Sequence, residues 1–142
     1  MEKVTAYITR RSKDSVELLV FRDPGHADFG LVVPGGTVEA HERLEDALVR
    51  EVREESGFSS VRVLAYLGAV EYTGLGGGVV TRHYYHCALD APCPDCFTHV
   101  TRSQDEDDGW ICQYFWLHLD PDRLPSLGGR LGDRLDALLR AR

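Results

Sequence analysis

Gly36–Phe58 reads GTVEAHERLEDALVREVREESGF, and its second half carries the most information in the chain. From Leu44 to Ser56 apolar residues recur at helical spacing, and Gly57 stands where helices commonly end in a left-handed residue. On a helix that turns about 100° per residue, Leu44, Ala47, Leu48 and Val52 share one arc, the side to be buried. Glu51 and Glu55 fall inside that arc and Glu54 lies at its edge, whereas Asp46 and Arg53 point away. Three carboxylates at i, i+3 and i+4 therefore share the face that should meet the body of the protein. Left unpaired there, a carboxylate is expensive to keep charged. Either buried Arg or Lys residues or divalent cations would solve the problem. Arg50 is one candidate partner, but one guanidinium cannot neutralise three acids. Hard oxygen ligands at this spacing suit Mg²⁺ or Mn²⁺, which keep waters and accept substrate phosphate oxygens in their remaining positions.

The rest of the composition bounds what such a site could serve. The chain has 142 residues, 23 acidic against 16 basic, and a net charge of -7. Its acidity is concentrated in Gly36–Phe58 and in Asp105-Glu106-Asp107-Asp108, and the remainder is nearly neutral. A chain of this length forms one domain, residues 1–142, with a core that needs no disulfide framework. The longest apolar runs, such as Leu18–Phe21 and Tyr114–Leu117, fall far short of the ~20 residues that cross a bilayer. Met1–Tyr7 lacks the apolar stretch of a secretory signal, so a cytoplasmic location and no membrane partner are expected. The net charge disfavours a stable nucleic-acid partner, which would meet a broad basic surface. It leaves room for a nucleotide substrate, because a metal ion can supply the positive charge.

Strands and helices alternate along the chain. Lys3–Arg10 places Val4, Ala6 and Ile8 on one face and Thr5, Tyr7 and Thr9 on the other, and Val16–Arg22 is a second β-rich run. Leu31-Val32-Val33 is expected as a short strand stopped by Pro34-Gly35-Gly36. Val61–Tyr72 and Val79–Asp90 read as strands joined by glycine-rich Thr73–Gly78, and Trp110–Leu119 as a further strand. Leu131, Leu135, Leu138 and Leu139 mark an amphipathic closing helix.

Gly36, five residues, Glu42, seven residues, then Arg50-Glu51-Val52-Arg53-Glu54-Glu55-Ser56-Gly57-Phe58 resembles the Nudix box, G-x5-E-x7-R-E-U-x-E-E-x-G-U with U a bulky apolar residue. Every defined position matches, a coincidence with a probability on the order of 10⁻⁷ at average amino-acid usage. The resemblance implies an α/β fold, the Nudix-type α/β/α sandwich with a mixed central sheet. It also implies a hydrolase that cleaves the pyrophosphate bond of a nucleoside diphosphate linked to another moiety, using Mg²⁺ or Mn²⁺. By the same resemblance Glu51, Glu54 and Glu55 would be metal ligands, together with the carbonyl oxygen of Gly35. Arg50 would orient the carboxylates, and Glu42 would tie loop to helix. The general base is left open among Glu51, Glu54 and an acid from a later loop, with Glu106 and Glu71 as candidates. A Nudix domain kept as a nucleotide sensor without turnover is the alternative, though a pure sensor has no chemical need for all three acids and Arg50.

Other residues are less decisive. Arg22, Arg82, His83, His86, His99 and Arg102 could reach phosphates, and Tyr72, Tyr84, Tyr85 or Phe97 could stack on a base. Each is more simply read as structural or surface. Cys93-Pro94-Asp95-Cys96 is a CxxC pair without a second close pair of ligands, so free thiols are expected in preference to a zinc site helped by His86 or His99. Cys87 and Cys112 are expected in the core. Oligomeric state is open, with a homodimer among the options.

Overall fold

The structure is a computed structural model that describes residues 1–104 and 107–140. Its strands are β1 (Glu2–Ser12), β2 (Ser15–Arg22), β3 (Gly35–Thr37), β4 (Val61–Thr73), β5 (Val79–Leu89), β6 (Cys96–Val100) and β7 (Ile111–Leu119), with helices α1 (Leu44–Ser56) and α2 (Leu135–Arg140). The sheet is mixed, in the order β4-β5-β1-β2-β7-β6, and β3 pairs with β1. β1 serves both halves of it. Residues 2–8 run parallel to β5 and residues 9–12 run antiparallel to β2. Beyond that hand-over β1 and β2 part, and β3 pairs antiparallel with β1 in the space this leaves. Among the described residues no helix is long and apolar enough to cross a membrane.

Alternation along β1 builds a core on each face of the sheet. Val4, Ala6 and Ile8 pack with Ala47, Leu48 and Val52 of α1. Tyr7 packs on the opposite face with Leu135 and Leu138 of α2. Sheet and helices thus form the expected α/β/α layers. Leu44–Ser56 is helical to the residue, with Glu45 and Asp46 in the first turn and Arg53 in the last, an order that suits the helix dipole. Gly57 ends it at φ 84°, and its N–H closes on the Arg53 carbonyl.

Three elements differ from the sequence expectation. Leu31 and Val32 make single bridges to Leu127 and Phe21, and the short strand lies beyond Pro34, at Gly35–Thr37. A side chain at Gly35 would collide with the Val4 carbonyl, so the glycine is what permits this close pairing. Cys96–Val100, which was not among the expected strands, extends the sheet as β6 on the outer side of β7. Its burial alternates weakly, which gives little signal at the edge of a sheet. The closing helix starts at Leu135, four residues later than the leucine spacing suggests. The cause lies in the sheet, where the Tyr84 hydroxyl donates to the Arg130 carbonyl at 2.6 Å and the Tyr7 hydroxyl donates to the Leu131 carbonyl. The Arg134 N–H likewise turns to the Tyr7 hydroxyl at 3.3 Å in place of a helical carbonyl, yet Leu131 still packs on the α2 side from its turn. Tyr84→Phe should accordingly cost about 1 kcal/mol in a urea melt, with no loss of the sheet signal in circular dichroism.

Candidate active site

Helix α1 carries two of its acids inward. Glu51 is 1% exposed and Glu55 6%, on the same face as Leu48 and Val52. Burial pushes Glu51 up to about 8 against the pull of Arg50, and burial likewise drives Glu55 well above the usual carboxylate range. The Glu51 carboxylate lies over Gly36, where any Cβ would overlap it. Glu55 accepts a 2.7 Å hydrogen bond from the Gly35 N–H. The two glycines therefore do separate work: one leaves volume for a carboxylate, the other approaches a neighbouring strand and anchors a second carboxylate.

Arg50 is the centre of the charge network. Its Nε and Nη2 donate to both oxygens of Glu42 at 2.8 and 2.9 Å, and Nη2 also donates to the Thr37 carbonyl at 3.0 Å. Its Nη1 reaches Glu51 at 3.0 Å and Glu54 at 3.3 Å. The two-pronged bond from Arg50 holds Glu42 below the ordinary carboxylate range, and Arg50 is itself held more firmly protonated. Glu42 thus joins the loop to the helix, while Glu54 turns toward Arg50. One cation faces several anions, as the sequence arithmetic requires.

A cleft of about 880 Å³ opens beside these groups. Glu51, Glu55, Gly35 and Gly36 line it, and so does Asp107. Asp107 lines the same cleft as Glu55 and its negative charge adds to the rise that burial imposes on Glu55, and the Ser103 hydroxyl holds it at 2.7 Å. Acids gathered on one cleft favour a shared proton or a cation among them. Among the described residues, the loop acid that lines the site is Asp107. Glu106, singled out from sequence, lies outside the described residues, and Glu71 is exposed on β4. Asp107 was legible in sequence only as part of an acidic run, with no periodicity to say which member turns inward.

Among the described residues, no three His, Cys, Asp or Glu side chains form a ready-made metal cage. The reason is visible in the network, since Arg50 stands between Glu51 and Glu54 and Gly35 occupies Glu55. The donor set nevertheless suits a hard divalent cation. It is all oxygen, buried, short of positive charge and open to the cleft on one side, and such cations need few protein ligands because they keep waters.

Most of the candidate ligand-binding residues do other work. Tyr84 and Tyr85 are buried, and Phe97 stacks on Tyr114 at 4.7 Å inside the core. His83 bonds Tyr66 and Glu2, His86 bonds Thr9, and His99 meets the Glu54 carbonyl at 3.1 Å. Arg22 lies over Phe115, and Arg102 donates its backbone N–H to Glu54. His86 and His99 are therefore committed away from the Cys93/Cys96 loop. Cys87 and Cys112 are core residues, as expected. Arg82 does line the cleft.

The aromatic groups at the cleft were not anticipated. Phe29 is 56% exposed and packs edge-on against Trp110 at 5.1 Å, and both line the cleft. His26 stacks on Trp110 with centroids 4.0 Å apart. Asp23 fixes this corner by accepting from the Gly25 and Ile111 N–H groups at 2.7 and 3.0 Å and by meeting His26 at 3.0 Å. Burial alone would raise Asp23, but these bonds together hold it below its ordinary value. The signal in sequence was Asp23-Pro24-Gly25, a turn, which says nothing of the strand it is tied to.

Comparison with known proteins bears on the fold and the family. The NUDIX domain family model matches residues 1–125. A putative 8-oxo-dGTP diphosphatase, YtkD, of Bacillus subtilis is 42% identical over 60 residues, covering 42% of this chain and 37% of that relative. A second curated relative is covered over only 15% of its length, so the chain spans well under half of the curated relatives it matches. Among solved structures, the E. coli dihydroneopterin triphosphate pyrophosphohydrolase superposes with a TM-score of 0.67 at 18% identity, over 97% of this chain and 92% of the other. The NUDIX domain of Shewanella oneidensis NrtR, complexed with ADP ribose, gives 0.66 at 17% identity, over 100% and 88%. These distant structures share the fold, and the match over most of the sequence makes this chain a member of the Nudix hydrolase family.

Proposed function

We propose that the protein is a divalent-metal-dependent pyrophosphohydrolase that cleaves a nucleoside diphosphate linked to a further moiety. The observation that carries this reading is the pair of buried carboxyls, Glu51 and Glu55, open to a cleft that also holds an aromatic corner. Mg²⁺ or Mn²⁺ would be held by Glu51 and Glu55, with Glu54 and the Gly35 carbonyl as further ligands. When bound there, such an ion supplies positive charge against the diphosphate and acidifies water for attack. The reaction adds water oxygen to one phosphorus, breaks the bridging P–O bond and passes a proton to a carboxylate. Arg50 keeps Glu51 and Glu54 oriented. Asp107 and Glu51 are the acids placed to accept the proton, since both face the cleft. Trp110 and Phe29 offer a nucleobase a flat, partly desolvated surface, and base–aromatic stacking contributes about 1–3 kcal/mol.

The substrates named for relatives, 8-oxo-dGTP for a curated relative and dihydroneopterin triphosphate for a solved structure, set the range to test. The test is product analysis over nucleoside triphosphates, dinucleoside polyphosphates, ADP-ribose and nucleotide sugars, each with Mg²⁺, with Mn²⁺ and with EDTA. Cleavage at a pyrophosphate bond that EDTA abolishes is the expected result. Binding without turnover of any of them would make the protein a nucleotide sensor. Trp110→Ala should raise KM for the preferred nucleotide about tenfold or more and leave kcat much less affected, as steady-state kinetics would show.

A further inference from the structure

The same cleft carries a basic group on the face of β1 opposite the acids. Val4 faces α1, and its partner in register is Gly36, over which Glu51 lies. Lys3 and Thr5 alternate to the α2 face, where Lys3 stands in register with Arg82 of β5. Lys3, Arg82 and Arg130 all line the cleft. Arg82 donates through Nη1 to the Thr5 hydroxyl at 2.8 Å and through Nε to the Tyr72 hydroxyl at 3.1 Å, so both its partners are neutral. Arg130 lies over the Tyr72 ring at 4.8 Å and pairs with Asp133 at 2.6 Å. Among the described residues no ion pair involves Lys3 or Arg82.

A half-buried guanidinium fixed by hydroxyls keeps its charge for something that enters the cleft. We propose that Lys3 and Arg82 form an anion subsite that takes a phosphate lying beyond the cleaved pyrophosphate bond, so that the preferred substrates are nucleosides carrying three or more phosphates in a chain. The inference rests on the pyrophosphohydrolase reading for its chemistry. Metal ions on the acidic side answer the charge of one diphosphate. A nucleotide sugar or ADP-ribose brings nothing more than that, and its sugar would leave Arg82 facing neutral hydroxyls. A third phosphate gives that guanidinium a charged acceptor, the stronger kind of hydrogen bond.

Two measurements test it. The first is the ratio of kcat/KM for a nucleoside triphosphate to that for ADP-ribose, in wild type, Arg82→Ala and Lys3→Ala. The ratio should favour the triphosphate in wild type and fall about tenfold or more in Arg82→Ala, with a smaller fall in Lys3→Ala, whose side chain makes no ion pair among the described residues. A ratio that favours ADP-ribose in wild type, or that neither substitution lowers, overturns the subsite. The second measurement is calorimetric binding of inorganic tripolyphosphate in EDTA, which needs no turnover. Wild type should bind it, and each variant should bind it more weakly. Failure of wild type to bind, or equal affinity in all three, also overturns the subsite. Absence of hydrolysis on every nucleotide together with tripolyphosphate binding that depends on Arg82 would remove the enzymatic reading and keep the anion subsite.

Discussion

Glu55→Gln should lower kcat by about 10³-fold or more, a loss of the order seen when a group that stabilises transition-state charge is removed, while the protein stays folded. The two consequences have separate causes. The amide oxygen that this substitution introduces can still accept from the Gly35 N–H, which bonds the Glu55 carboxyl at 2.7 Å, so the local backbone keeps its anchor. The carboxylate that would hold a divalent cation is lost. Glu55 is buried and its charge is disfavoured there, so replacing it with a neutral side chain of the same shape relieves a cost of the metal-free fold. The melting temperature in EDTA should hold or rise as activity collapses, the usual exchange between stability and function at a catalytic site. Glu54→Gln should lower kcat by several orders of magnitude as well. Full activity in both variants, by the product assay, would overturn the metal site.

Arg50→Met should have the opposite signature, a large loss of stability as well as of activity. Arg50 satisfies Glu42 through two bonds, reaches Glu51 and Glu54, and fixes the Thr37 carbonyl at the end of β3. Removing it leaves carboxylates facing one another without a cation. Breaking a buried pair in this way costs about 3–5 kcal/mol. The lower end is expected, because Glu42 and Glu54 keep 16% and 18% of their side-chain surface in water. Chemical denaturation in metal-free buffer measures this directly. Mg²⁺ should restore part of the lost stability if it can approach the freed acids. Arg50→Lys should recover only part of the loss, since an ammonium cannot span both oxygens of Glu42 while reaching Glu51.

The two variants also show which parts of the site were legible in the sequence. The helix limits, the inward Glu51 and Glu55 and the cap at Gly57 are consequences of spacing within one helix, where geometry is fixed by 3.6 residues per turn, whereas the orienting role of Arg50 was implied by the resemblance to the Nudix box. β1, β2, β4, β5 and β7 were legible through their own local signals, period-2 patterns or apolar runs between turn residues. What escaped depends on partners far along the chain. The start of α2 was displaced because two tyrosines from the sheet take the carbonyls of Arg130 and Leu131. β3 lies past a proline because Gly35 can pack against Val4. Phe29 and Trp110 meet at the cleft because Asp23 ties a turn to the start of β7 across 88 residues. Asp107 lines the cleft beside Glu55 from a loop with no regular spacing. None of these contacts has a periodicity that a linear reading could detect.

The central claim is that the inward acids of α1 hold a divalent cation. Manganese binding, followed by the loss of free Mn²⁺ signal in electron paramagnetic resonance, tests it without any choice of substrate. Wild type should bind Mn²⁺, and the Glu51→Gln/Glu55→Gln double variant, folded by circular dichroism, should bind at least about tenfold more weakly. Equal binding by the two proteins, or no binding by wild type, would contradict the account.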